Sequence, residues 1–207
     1  EILATEFEVL NEVKDTTLSG QMDWRASGKH RIVGGAGYSW FALSYRQEFN
    51  RNTQVDYANN PGELAAFVED RWFVDDLSTV RSGLRYRYLS EGGRSLWEPR
   101  LALSRQVHPD LRLKLGGGIY HQYLQLVSTE GFSSGDFYLP IDETADPGRS
   151  WQVVVGSDWQ ANEQTQISLE LYNTGLEDLV ELDDKVPVDQ SSFTADDLFV
   201  TNGKGYA

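Results

Sequence analysis

The sequence predicts an all-β protein, an antiparallel up-and-down meander of about eight long strands. Three features of its 207 residues carry that expectation. Apolar and polar residues alternate with a period of two over most of the chain, as in strands with one apolar and one polar face. Short runs of turn residues separate the alternating segments, so consecutive strands pair antiparallel. Helical periodicity is scarce. The best helical candidate, "PGELAAFVEDRWF", has Pro61 and Glu63 as N-terminal signals, but Phe67, Trp72, Phe73 and the neighbouring strand favour a hairpin arm.

In chain order the strands are expected at 5–26, 30–48, 63–74, 78–90, 95–107, 111–123, 149–161 and 165–182. The fourth sets Val80, Leu84, Tyr86 and Tyr88 against Arg81, Gly83, Arg85 and Arg87. In the sixth, Leu111, Leu113, Leu115 and Ile119 oppose Arg112, Lys114, Gly116 and Tyr120. The seventh sets Trp151, Val153, Val155 and Trp159 against Gln152, Gly156, Asp158 and Gln160, and the eighth sets Ile167, Leu169 and Leu171 against Gln166, Ser168 and Glu170. The breaks "ASGKH", "VDDLS", "SEGGRS", "VHPDL" and "QANEQT" are turn chemistry. Longer gaps at 49–62 and 124–148 and a tail at 183–207, read as mostly irregular, alternate with the short turns. Tight turns at one end and long loops at the other are the asymmetry of transmembrane β-barrels. The segment is then part of such a barrel, or closes as a small one whose interior is filled by side chains.

The two faces differ in kind. Glu69, Arg71, Arg81, Arg85, Arg87, Arg100, Arg112, Lys114 and Glu170 fall on inward-type positions, where opposite charges can form ladders along a wet lumen. Leu, Val, Ile, Tyr and Trp fill the opposite face, with Trp24, Trp40, Trp72, Trp97, Trp151 and Trp159 near strand ends, as in an interfacial girdle.

Composition narrows the function. A formal net charge of −14 argues against nucleic-acid binding, which neutralises phosphates with Lys and Arg. There is no cysteine, hence no disulfide, thiolate nucleophile or thiolate-ligated metal, and His30, His108 and His121 fit no metal-ligand spacing. From Ile141 onward, fourteen Asp and Glu face only Arg149, Lys185 and Lys204; solvated loops account for this, and calcium is the alternative for such clustered carboxylates. No run approaches the roughly 18 apolar residues of a membrane helix, which leaves a β-barrel open. Glu1 stands where a start would have methionine, and no leader pattern follows, so the chain reads as a mature product or a piece of something longer.

One motif suggests an enzyme. "GFSSG", 131–135, has the G-x-S-x-G pattern with Ser133 at the nucleophile position. A serine-type ester hydrolase would use Ser133 with His121 as base and Asp136 or Asp142 as orienter. The segment that follows, "YLPIDETADPGRS", carries Pro140 and Pro147 and cannot be the helix a nucleophile elbow needs.

Three stretches, "AAFVEDRWFVDDLSTVRSGLRYRYLS", "SLWEPRLALSRQVHPDLRLKLGGGIYHQYLQ" and "GFSSGDFYLPIDETADPGRSWQVVVGSDWQ", resemble successive barrel strands of the TonB-dependent receptors. The likeness covers roughly 63–207. Its most specific piece is Trp97-Glu98-Pro99-Arg100-Leu101 following the G-L-R-Y strand, and "DLFVTNGKGYA" looks like the lead into a further strand. The resemblance implies an internal barrel segment of a Gram-negative outer-membrane transporter, without its plug domain. It also implies a small-molecule ligand such as a siderophore or oligosaccharide, captured by the loops 49–62, 124–148 and 183–207. In that reading the chain is a single barrel-type domain over 1–207, "GFSSGDF" is a binding loop, detergent or membrane covers the apolar face, and open strand edges invite self-association.

Overall fold

The computed structural model describes residues 6–127, 137–140, 146–182 and 199–207. Among the described residues the strands are β1 (Phe7–Arg25), β2 (His30–Phe49), β3 (Asn52–Asn59), β4 (Gly62–Phe73), β5 (Ser78–Leu89), β6 (Arg94–His108), β7 (Leu111–Gln122), β8 (Leu124–Val127), β9 (Phe137–Pro140), β10 (Gly148–Asn162), β11 (Thr165–Leu182) and β12 (Phe199–Tyr206). The only helical element among the described residues is a 3-10 turn, Glu91–Gly93. The main sheet runs β1-β2-β4-β5-β6-β7-β10-β11-β12, every neighbour antiparallel, with β3 on the upper part of β2 and a separate β8–β9 hairpin. This is the predicted up-and-down meander, and the eight long strands start and end within two residues of the expected positions. The sheet does not close: β1 and β12 each keep an unpaired edge among the described residues.

Two segments read as loop or tail are strand. Asn52–Asn59 continues β4 upward, for Leu43 faces Asn59 and Trp40 faces Gly62 in one register, which holds as far as Gln47–Val55 and shifts at a bulge beyond it. Thus β3 and β4 are one long strand interrupted at Asn60–Pro61, where proline has no N–H to give the ladder. Its polar sequence, "NTQVDYAN", hides it, because no apolar alternation marks a strand held by backbone pairing. Likewise "FVTNGKGY" is rich in weak strand formers, and the edge of β11 imposes its extended form.

Local chemistry fixes each tight turn. In 26–29 the Ser27 hydroxyl accepts from the amides of Lys29 and His30, both at 3.1 Å. In 74–77 the Asp75 carboxylate accepts from the Leu77 amide at 2.8 Å. Gln106 Nε2 donates to the carbonyls of His108 and Pro109 at the third turn, and Asn162 Oδ1 accepts from the Gln164 amide at the fourth. All four turns lie at one end of the sheet; 90–93, the end of β7, the start of β10, the end of β11 and the start of β12 lie at the other. At that loop end, β2 turns into β3 through Asn50 and Arg51 with φ of 47° and 65°, a two-residue hairpin of the left-handed type.

Cross-strand register sorts the side chains. Leu101 and Leu103 on β6, Leu113 and Leu115 on β7, Val153 and Val155 on β10 and Leu169 and Leu171 on β11 share one exposed apolar face. Trp24, Trp72 and Trp159 mark its turn end, and Trp40, Trp97 and Trp151 mark its loop end. On β10, Trp151 and Trp159 stand eight residues apart on that face, about 26 Å along the strand and roughly 20 Å once tilted at 35–45°. That separation is somewhat shorter than the apolar band of an outer-membrane barrel, about 25 Å tall, and of the same order. The other face is concave, since Phe41 on β2 and Tyr123 after β7 meet across it with ring centroids 6.0 Å apart. The few buried apolar side chains, Leu43, Tyr45, Leu89 and Tyr123, belong to its loop end.

Aromatic rings cover glycines at two close approaches. The Trp151 indole lies where a Cβ on Gly175 would be, and the Tyr38 hydroxyl lies where one on Gly62 would be. Gly175→Val should therefore expel the indole and lower the midpoint of denaturant unfolding in detergent, whereas Gly20→Val, which meets open space, should leave it nearly unchanged.

A second expected outcome concerns the turn at 74–77. The hydrogen bond from the Leu77 amide holds the Asp75 carboxyl below its ordinary value. A carboxylate depressed on folding stabilises above its unfolded pKa and loses that contribution as pH falls through the folded value. Asp75→Asn should thus destabilise the chain at pH 7 and make little difference at pH 2, measured as unfolding midpoints at both.

Candidate functional site

The concave face holds two groups of charges. The first lies at the loop end, where β6 and β7 part. Their ladder ends at Arg100–Gly118, beside Pro99, which has no amide hydrogen to donate. Above that point a side chain replaces the ladder: Glu98 Oε1 accepts the His121 backbone N–H at 3.0 Å. Arg87, from β5, reaches over and donates to the His121 carbonyl at 2.8 Å. Its Nε and Nη2 also donate to the two oxygens of Glu63 on β4, each at 2.7 Å. Arg100 Nη2 donates to the second oxygen of Glu98 at 3.0 Å and stacks its guanidinium 4.8 Å from the Tyr120 ring. Two carboxylates and two guanidiniums thus stitch β4, β5, β6 and β7 together.

Burial makes this clamp matter. The side chain of Glu98 is 3% exposed, and those of Glu63 and Arg87 are 12% and 16%. A charge so placed is tolerable only with partners, and the bidentate Arg87–Glu63 pair is the strongest geometry available to it. Tyr123 lies against Arg87, its ring centroid 5.9 Å from the guanidinium carbon. Arg87→Ala would leave Glu63 and Glu98 short of a counter-charge and should cost about 3–5 kcal/mol in denaturant unfolding. Arg51→Ala, which breaks the exposed pair with Glu6, should cost under about 1 kcal/mol in the same assay.

The second group lies nearer the turns. Arg81 pairs with Glu69 at 3.2 Å, Lys114 with Asp158 at 2.6 Å and Arg31 with Asp23 at 2.5 Å. These are the opposite-charge ladders expected from the inward positions. Arg71 departs from that expectation, for its cross-strand neighbours are Arg31 and Arg81.

Of the hydrolase candidates, Ser133, Asp136 and Asp142 lie outside the described residues. His121 is described, and its ring is half of a structural contact: Nδ1 lies 3.7 Å from Glu98 Oε1, with the side chain 12% exposed. Directly after "GFSSG", Phe137–Pro140 forms β9, a strand paired with β8 in the place where a nucleophile elbow needs a helix. Most of the acidic tail considered for calcium, 183–198, is likewise outside the described residues, and among those described no group of three or more His, Asp or Glu is placed to hold a metal.

Sequence reasoning found Arg87 and Arg100 as inward charges but missed their partners. Glu63 reads as a helix N-terminal signal and Glu98 as part of a resemblance. The signal that could have found both is the E-P-R order: a carboxylate next to the one residue that cannot extend the ladder.

No protein-family model and no curated protein sequence matches the chain. Solved structures do. A mutant of the ferric enterobactin receptor PfeA from Pseudomonas aeruginosa superposes with a TM-score of 0.68 at 17% identity, over 94% of this chain and 32% of that one. The siderophore receptor PirA from the same organism gives 0.66 at 17%, over 95% and 38%. PirA from Acinetobacter baumannii gives 0.63 at 20%, over 94% and 31%. The chain spans about a third of the length of these receptors. Its open, up-and-down sheet, with an apolar banded outside and a charged inside, has the fold of a segment of the barrel wall of TonB-dependent siderophore receptors.

Proposed function

We propose that the chain forms part of the barrel wall of an outer-membrane receptor that takes up a small ligand, a siderophore or an oligosaccharide. The observation that carries this reading is the division of one continuous sheet into an exposed apolar face between two rows of tryptophan and a charged concave face. An apolar patch that spreads over four adjacent strands is far larger than a soluble monomer leaves uncovered, and lipid is its natural cover. The likeness to siderophore receptors supports the ligand class, and one of those receptors was solved in complex with enterobactin. In this reading the plug of such receptors is no part of 1–207, and the loop-end connections supply ligand contacts. A recess of about 340 Å³ at that end, lined by Tyr120, Gln122, Arg149, Ser150 and Leu176, offers them a floor. In this reading the chain's chemistry is binding, and a His121 packed against Glu98 and a strand after "GFSSG" lend the ester-hydrolase alternative no support.

The test is genetic and biochemical together. The parent protein, expressed in a Gram-negative host lacking its own siderophore receptors, should fractionate with the outer membrane and restore growth on at least one iron–siderophore complex. Removal of 128–147 should abolish growth while leaving the protein in the membrane. Recovery of the parent in the soluble fraction would overturn the reading, as would p-nitrophenyl ester turnover lost equally in Ser133→Ala and His121→Ala.

A further inference from the structure

At the turn end of the concave face, four arginines stand in one cross-strand row: Arg25 on β1 faces Arg31 on β2, Arg31 faces Arg71 on β4, and Arg71 faces Arg81 on β5. Directly opposed residues have Cβ atoms about 4.5–5.5 Å apart, and like charges in that relation destabilise a sheet. The next row supplies just two carboxylates, Asp23 to Arg31 and Glu69 to Arg81. Arg25 and Arg71 make no hydrogen bond or ion pair among the described residues. Beside the row, the same face holds a recess of about 300 Å³ lined by Arg81, Arg112, Lys114 and Glu170 and opened by Gly116 and Gly156. Arg112 donates to the neutral Gln106 at 3.0 Å, and the carboxylate it faces across the strands, Asp158, is already paired with Lys114 at 2.6 Å. Six cations therefore meet four carboxylates, Asp23, Glu69, Asp158 and Glu170, within a chain whose net charge is −14. A local excess of guanidinium in so acidic a protein calls for an anion.

We propose that this row and recess form a binding site for a compact molecule carrying two or more clustered oxyanion groups, phosphate or carboxylate. Guanidinium forks match such oxygens bidentately, and arginines about 5 Å apart along the row can share one multiply charged ligand. Gly116, which continues the row of Arg81 through Ala102, leaves room for the ligand to reach the backbone beside Lys114. The site lies at the opposite end of the sheet from the Glu63–Arg87–Glu98 clamp and from the loop-end connections, and it does not depend on the transport reading.

Titration of the chain folded in detergent with pyrophosphate and, separately, with tricarballylate tests the proposal by calorimetry. Saturable binding of one to one is expected, weakened about tenfold by Arg71→Gln and again by adding Arg25→Gln, since each removes an unpaired guanidinium. Those two arginines make no hydrogen bond or ion pair among the described residues and act on Asp23 only at longer range, behind its direct pair with Arg31, so the variants should nearly keep the parent's unfolding midpoint. Lys14→Gln, on the outer face, should bind like the parent. Tighter pyrophosphate assigns phosphate as the ligand group, and tighter tricarballylate assigns carboxylate. Absence of saturable binding to either, or affinity untouched by both arginine substitutions, would overturn the site.

Discussion

Everything in this structure depends on the strand's period of two. Adjacent residues on an extended chain point to opposite sides, so a sequence that alternates apolar with polar over a dozen residues makes a wall with two unlike surfaces. Leu113 and Lys114 are neighbours in sequence; one belongs to an uncovered apolar field and the other pairs with Asp158 inside the curve. The apolar face is the outer one and the charged face lines the curve, so the sheet cannot curl round a dry core of its own. It needs hydrocarbon outside and water or polar groups inside. The backbone meets the same demand, since strand-to-strand pairing satisfies its N–H and C=O groups without solvent.

Where the regular ladder fails, charged side chains take its place. Pro99 ends the β6–β7 pairing, and Glu98 and Arg87 then hold the His121 amide and carbonyl that β6 has released. Arg87 also lies over the Tyr123 ring, one of the few buried apolar side chains at the loop end. Local interruption thus becomes long-range connection: one arginine ties a residue of β4 to one of β7. At the turn end the opposite holds. There the ladders are intact, the turns are closed by Ser27, Asp75 and Asn162, and charges are free to face the lumen.

The fold was legible in the sequence because alternation is a backbone-level signal, repeated in eight long segments and punctuated by short polar turns. It failed at β3 and β12, whose polar, glycine-bearing sequences are extended only because β2 and β11 offer them an edge. "PGELAAFVEDRWF" showed a mixed signal that pairing with both β2 and β5 resolves as strand. The candidate site was legible only in part. Inward charges could be counted from the alternation, but which arginine meets which carboxylate is set by register across several hairpins. Arg87 and Glu63 are 24 residues apart, and Arg87 and His121 34. The row Arg25–Arg31–Arg71–Arg81 needs three registers to be known at once.

The most direct test of the two-faced wall uses the absence of cysteine. Single cysteines placed along β7 and β10 and spin-labelled in lipid bilayers report, position by position, contact with oxygen in hydrocarbon or with a water-soluble nickel chelate. The account predicts a period of two: Leu113, Leu115, Val153 and Val155 high for oxygen, and Lys114, Gln152, Gly156 and Asp158 high for the chelate. Equal accessibility along both strands, or a monodisperse chain in plain buffer with no membrane mimetic, would contradict it.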